Sequence, residues 1–392
     1  MQSRLLQTMA LGLGLAVLDA HAASTGDELV YVGTFTFGPP TQTAASASPQ
    51  QGIYGATLDT KTGHLSPLGL SAELKRASWL VAHPTLPVLY TVAQSPSDNP
   101  ASDSAVISFT IEPASGTLRQ INKMDANGRD ATHMVFDAAS KTLFVANHGT
   151  GNVTALPVQA DGSLGPVSSD QKDFGSGPSP RQKSAAAHGV AVDPTHRYVI
   201  VADFGADRLF VYRFDGVTRT LTPASTPFQQ LPPGSGPRHL LFHPDGKLLF
   251  VDNELTGEMC TYRWEGRSGQ LTLAQCQSAY AADYSGQKSA GEIGISHDGR
   301  YFYLSLRGDP EALVAYSINK ASGVLTEIQR MPPPGKVPWS FGVDPTGHWM
   351  LVANQGSNSV AVLAVDSKTG KLTATGDSMS VPNPVTVAFY RH

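Results

Sequence analysis

His188, Arg238 and Glu292 occupy one recurring position in the chain. Each stands five residues ahead of a turn residue, Asp193, His243 or His297, in the stretches AAAHGVAVDP, GPRHLLFHP and GEIGISHD. The same position elsewhere holds Ser78, Thr132, Trp339 and, near the C-terminus, Val385. A histidine can move a proton near neutral pH, an arginine can hold developing negative charge, and a carboxylate can orient either one. A second set of positions, at the ends of the apolar runs that follow, contains Phe35, Gln94, His148, Phe204, Glu254, Arg307 and Gln355. The neighbours of the first set add His133 and His239. Charge is costly in a recess unless it is paired, so two arginines, two carboxylates and several histidines converging there imply an anionic or polar ligand as the missing partner. Plainer roles are open to each: the histidines can tie strands together, Arg238 and Glu292 can pair with one another, and Gln355 can simply pack.

The elements that must position these residues repeat. Turns at His83-Pro84, Asp137-Ala138, Asp193-Pro194, His243-Pro244, His297-Asp298 and Asp344-Pro345 recur at intervals of 47 to 56 residues. Each is preceded by a short strand and followed by a second apolar one, such as VLYTVAQ, TLFVANH, YVIVADF, LLFVDNE, YFYLSLR or WMLVANQ. A third strand, a Gly-containing turn and a short polar fourth strand complete the period, and four antiparallel strands every ~50 residues is the signature of a β-propeller blade. The C-terminal PNPVTVAF supplies a first strand, while LVYVGTFT and GIYGATLDTKTGHLSPLG near the N-terminus supply the second, third and fourth. The sequence therefore predicts an all-β, seven-bladed propeller over residues 28–392, with four antiparallel strands per blade and a closing blade shared by the two ends of the chain. In such a ring the first strands line the axis, and both sets of chemical residues share one rim of the channel. The longest loops, including the one after Phe35 and the one before His188, fall on that rim as well.

Composition narrows the partner. A net charge of −4 and a pI near 6.3 give no electrostatic case for nucleic acid. The opening MQSRLLQTMALGLGLAVLDAHAAST, with an early arginine, a short apolar run and an Ala-His-Ala close, reads as a secretory signal cleaved after residue 22. No later run is apolar enough to span a membrane, so a periplasmic or secreted location is expected. The two cysteines, Cys260 and Cys276, flank a strand-turn-strand segment, and a hairpin centred on Ser268 would set them opposite each other, where a disulfide or two separate buried thiols can result. Zinc-ligand spacings, Gly-rich phosphate loops and Gly-x-Ser-x-Gly elbows are absent from the sequence. Glu254, Glu292, Asn253 and Asn147 offer some oxygen ligands, but the nearby arginines oppose a divalent cation, so neither a metal nor a cofactor is expected.

The blocks YVGTFT, RQKSAAAHGVAVDP, DFGAD, GSGPRHLLFHPDG, DNE, GEIGISHDGRYFYLSLRG and WSFGVDPTGHWMLVANQGSNSVAVLAVDSKTGKL span nearly the whole chain after the N-terminal segment. Together they resemble the seven-bladed lactonase family, which includes cycloisomerase-type 6-phosphogluconolactonases and fungal carboxy-muconate cyclases. The resemblance implies metal-independent chemistry, with catalytic roles for His188, Arg238, Glu254 and Arg307. It also adds Gln182, which follows the matching Arg181, to His148, His239, Glu292 and Gln355 as residues expected to bind substrate. One departure stands out: Ala186 replaces the first of two histidines common in the family, so the acid- or phosphate-facing chemistry is expected to differ. Hydrolysis of a small sugar or acid lactone is the expected activity, with His188 or Glu254 accepting a proton from water and the arginines holding the oxyanion. Lactone-forming cyclisation of a muconate-type diacid, or non-catalytic binding as an envelope scaffold, are the alternatives. The partner is then a small lactone or anionic substrate, and the protein a monomer or weak oligomer.

Overall fold

The computed structural model describes residues 27–35 and 50–391, so the expected signal segment, residues 1–22, and most of the loop after Phe35 lie outside the described residues. Seven four-stranded antiparallel sheets close into a ring, with one 3₁₀ turn at Gln355–Ser357. Blade 1 combines Pro384–Tyr390 as its innermost strand with Asp27–Thr34, Gly52–Asp59 and Leu65–Glu73. The innermost strands of blades 2 to 7 are Lys75–Ala82, Ala131–Asp137, Ala187–Val192, Pro237–Phe242, Ala290–Ile295 and Pro338–Val343. The predicted fold, including the shared closing blade, is the one found.

The strand order follows from which faces are covered. Second strands such as Leu248–Asn253 and Thr142–Asn147 are buried at every residue, because each lies within its sheet and between neighbouring blades. Outer strands such as Gln270–Ser278 are largely exposed and polar. Seven apolar clusters fill the seven spaces between adjacent sheets. The turn residues that marked the repeat work on the opposite rim. Asp193 accepts the backbone N–H groups of Arg197 and Tyr198 at 2.8 Å, while the rings of His243 and His297 reach the carbonyls of Gly299 and Asp344 in the next blade, each at 2.8 Å. Gly299 has φ +67°, and a Cβ there would lie 2.5 Å from the His243 ring.

At the functional rim, every innermost strand loses its register with the second strand. His188 is an extra residue between the pairs Ala187–Asp203 and Gly189–Ala202. Equivalent slips fall at Thr132, at Arg238-His239, at Gly291-Glu292, at Trp339 and at Val385. Blade 2 departs furthest: Arg76, Ala77 and Ser78 all oppose Ala93 alone. A β-bulge bends its strand and redirects the extra side chain, which is how the recurring position, Glu292 excepted, comes to face the channel. Side chains satisfy amides freed by the bulges: Asp252 accepts His239 N–H at 2.7 Å, and Ser305 Oγ accepts Glu292 N–H at 2.8 Å.

Cys260 and Cys276 stand opposite each other in the third and fourth strands of blade 5 and form a disulfide, with Cα atoms 4.1 Å apart. The ladder is centred on Ser268 from Glu258–Ser278 to Thr261–Gln275 and then slips by one residue toward the turn.

Candidate active site

The bulged rim surrounds a cavity of about 1080 Å³. Its wall includes His148, His188, Arg238, His239, Glu254 and Arg307, together with Ser78, Thr132, Trp339 and Val385 from the recurring position. Glu254 is the electrostatic centre. Blade 5 supplies it from the end of its second strand, and guanidinium groups reach it from three directions: Arg307 at 2.8 Å, Arg181 at 2.7 Å and Arg238 Nε at 3.3 Å. Burial alone would raise the Glu254 pKa, but Arg307, Arg238 and Arg181 together outweigh it and hold the carboxyl at about 2. Glu254 is therefore a fixed anion that orients cations and a poor proton acceptor.

The arginines are themselves held. Arg307 donates to the Ala290 carbonyl at 2.7 Å and stacks on Trp339, its guanidinium carbon 4.3 Å from the ring centre. Arg238 donates to the Gly291 carbonyl, and its Nη1 lies 3.0 Å from His239 Nδ1. Burial and the nearby Arg307 lower the Arg238 pKa to about 10, which leaves it charged at neutral pH. Arg181 lies over Phe204 at 4.7 Å. Two buried nitrogens of this group, Arg238 Nε and Arg307 Nε, make no well-aligned hydrogen bond, although Arg238 Nε is near Glu254.

His188 lies beside this cluster, its ring centre 5.6 Å from His148 and 5.2 Å from His239. Thr132 Oγ1 donates to its carbonyl at 2.9 Å and fixes the bulge. Burial, followed by Arg238, pushes the His188 pKa well below its usual 6.5, so the imidazole is neutral at pH 7, and its buried Nδ1 has no partner. His148 and His239 are also lowered, again chiefly by burial. His239 Nδ1 bonds to Glu292 Oε1 at 2.9 Å, and Ser340 donates to Glu292 Oε2 at 2.9 Å. Behind them Asp252, fully buried, has its pKa raised to about 7 by burial.

Sequence reasoning placed His188, Arg238, Glu254, Arg307, His148 and His239 on the cavity wall, and the structure brings them together there. Three other residues are placed differently. Glu292 lies behind His239 and holds that ring rather than facing the cavity. Gln182 is wholly buried, donating to the Phe204 carbonyl at 2.7 Å and to Asp207 at 2.6 Å, so it anchors the loop that delivers Arg181. Gln355 bonds to the Phe35 carbonyl at 3.3 Å and does not line the cavity. Ala186 is also off the wall: buried, with its Cβ beside Gly205. At the position of the missing family histidine the side chain present is therefore buried and does not contribute to the cavity surface. Sequence reasoning missed Arg181 as an ion-pair partner, though its match to the family's Arg-Gln was a signal, and missed the wall formed by Lys75, Arg76, Trp79 and Asp130.

Comparisons with known proteins agree with this fold. The family model described as "Lactonase, 7-bladed beta-propeller" matches residues 29–389. A 6-phosphogluconolactonase of Bacillus subtilis is 31% identical over 92% of this chain and 97% of its own length. One of Formosa agariphila is 30% identical over 88% and 94%. Among solved structures, the periplasmic gluconolactonase of Pseudomonas aeruginosa superposes with a TM-score of 0.83 at 33% identity, covering 93% of this chain and 99% of that one. The chain belongs to the seven-bladed β-propeller lactonase family, and its activity is the hydrolysis of a lactone.

Proposed function

We propose that the substrate is the unphosphorylated lactone of a polyhydroxylated sugar acid, opened outside the cytoplasm by water that His188 activates. One observation carries the residue assignment: the imidazole of His188 and the guanidinium groups of Arg238 and Arg307, residues from three adjacent blades, line one cavity. Water attacks the lactone carbonyl carbon while neutral His188 accepts its proton, and Arg238 and Arg307 stabilise the oxyanion that forms. Collapse of the tetrahedral intermediate breaks the ring C–O bond, and the proton held by His188 passes to the departing ring oxygen. The product is a hydroxy acid, and once its carboxyl group releases water's second proton to solvent the carboxylate remains beside the two arginines. Glu254, held ionised, fixes those arginines in place, and Glu292 with Ser340 fixes His239 beneath them.

The donor set supports metal-independent chemistry, since three guanidinium groups surround the one carboxylate at the centre of the site. The signal-like N-terminal segment and the disulfide support an oxidising compartment, which favours a lactone without phosphate. The test is a pH-indicator assay above the spontaneous rate with glucono-1,5-lactone, its 6-phosphate, an aromatic-derived lactone and a muconate, with and without chelator. Chelator-insensitive turnover of the unphosphorylated sugar lactone that falls about 10²–10³-fold in Arg238→Ala, as for loss of an oxyanion donor, is expected. Loss of muconate instead would reassign the chemistry to cyclisation, and binding without turnover would make the protein a receptor.

A further inference from the structure

The cavity has a second wall that the chemistry above does not use. Arg76 and Asp130 form an ion pair there, and both line the cavity. Each holds a left-handed backbone, Arg76 at φ +56° and Asp130 at φ +49°, two of the ten non-glycine residues that do so among the described residues. Arg76 belongs to the widest of the seven bulges, where three residues oppose one. Two departures from regular backbone in adjacent blades thus converge on one salt bridge.

Unlike Arg238 and Arg307, though like Arg181, this pair is open. The Arg76 and Asp130 side chains are 24% and 41% exposed, against 3% and 6% for Arg238 and Arg307. Its charge also differs in kind. Around the reacting centre Arg181, Arg238 and Arg307 face the single carboxylate of Glu254, whereas on the second wall Arg76 and Lys75 are balanced by Asp130 and Glu73. A neutral pair offering both donors and acceptors matches hydroxyl groups, and Trp79, held against His133 at 4.2 Å between ring centres, also lines the cavity. The two regions are joined through His148, which feels the charges of both Glu254 and Asp130. The cavity of about 1080 Å³ slightly exceeds the ~300–1,000 Å³ that holds drug-sized ligands, more than a single six-carbon lactone fills.

We infer that the Arg76–Asp130 wall is a subsite for a second sugar ring, so that the preferred substrates are lactones of glycosylated sugar acids. Resting on the hydrolytic reading above, this places the enzyme after an oxidation of the reducing end of a disaccharide, the class of reaction that produces such lactones.

The test compares kcat/KM for cellobiono-1,5-lactone and melibiono-1,5-lactone with that for glucono-1,5-lactone. Binding of the corresponding open acids is measured alongside by calorimetry, which does not depend on turnover. At least one two-ring lactone should exceed the one-ring lactone by about tenfold or more, and the ratio should fall toward one in Arg76→Ala and in Asp130→Asn, which retains the side-chain size. Turnover of glucono-1,5-lactone with no two-ring preference in the intact enzyme, or a preference unchanged in both variants, overturns the subsite. Tighter binding of the two-ring acids without turnover of any lactone upholds the subsite and overturns the hydrolytic reading instead.

Discussion

Glu254→Gln separates the electrostatic account from a merely steric one. The substitution keeps the side-chain shape but removes the negative charge that Arg307, Arg181 and Arg238 share. Folding lowers the carboxyl pKa from its ordinary 4.5 to about 2. At ~1.36 kcal/mol per pH unit, that difference is worth about 3 kcal/mol, within the range for breaking a buried ion pair. Because the pKa is depressed on folding, the contribution is complete above pH 4.5 and shrinks as the pH falls toward 2. Urea denaturation of both proteins from pH 6 to 3 should therefore show a gap of about 3 kcal/mol that narrows below pH 4.5 by up to ~1.4 kcal/mol per pH unit. The released arginines should also cost activity, about 10²-fold in kcat/KM for a displacement near 1 Å. A gap that does not change with pH, or a variant as stable as the parent at pH 6, would refute the claim that Glu254 is held ionised by its guanidinium partners.

Further outcomes test other parts of the structure. The lowered pKa of His188 places the acid limb of the kcat/KM profile below pH 6.5, with full activity at pH 7; His188→Gln should lower kcat by ~10²–10⁴-fold, and a limb at or above 6.5 contradicts the assignment. Glu28, buried with both carboxylate oxygens unpartnered, has its pKa raised by burial to about 7. It therefore costs stability progressively as the pH rises from 4.5 to 7, so Glu28→Gln should match the parent at pH 4 and exceed it by up to about 3 kcal/mol at pH 8; equal denaturation midpoints at pH 8 would count against this. The disulfide closes a loop with a sequence separation of 16, so Cys260→Ser/Cys276→Ser should lower stability by ~3 kcal/mol, and a reductant should destabilise only the parent.

The legibility of the site depended on how each residue reaches the cavity. His188 and Arg238 were readable because they occupy the repeated threshold of an innermost strand, and Glu254 and Arg307 because they end second strands on the same rim. Glu292 has the right type at the right repeat position, yet its side chain turns behind His239, where Ser340 from the next blade meets it. Arg181 arrives from a loop whose course is set by Gln182 and Asp207, outside the strand repeat. Arg76 enters through a bulge wider than in any other blade, which no periodicity announces.

By itself the sequence determined the ring. Repeated strand spacing, turn residues and the match between the two chain ends fix the number of blades and the rim on which polar residues gather, because these are local patterns written along the chain. Only the tertiary structure decided which residues share a charge, which imidazole stays neutral with a free nitrogen, and which carboxylate is fixed as an anion. Those properties depend on distances between blades and on removal from water, and neither is a function of sequence separation.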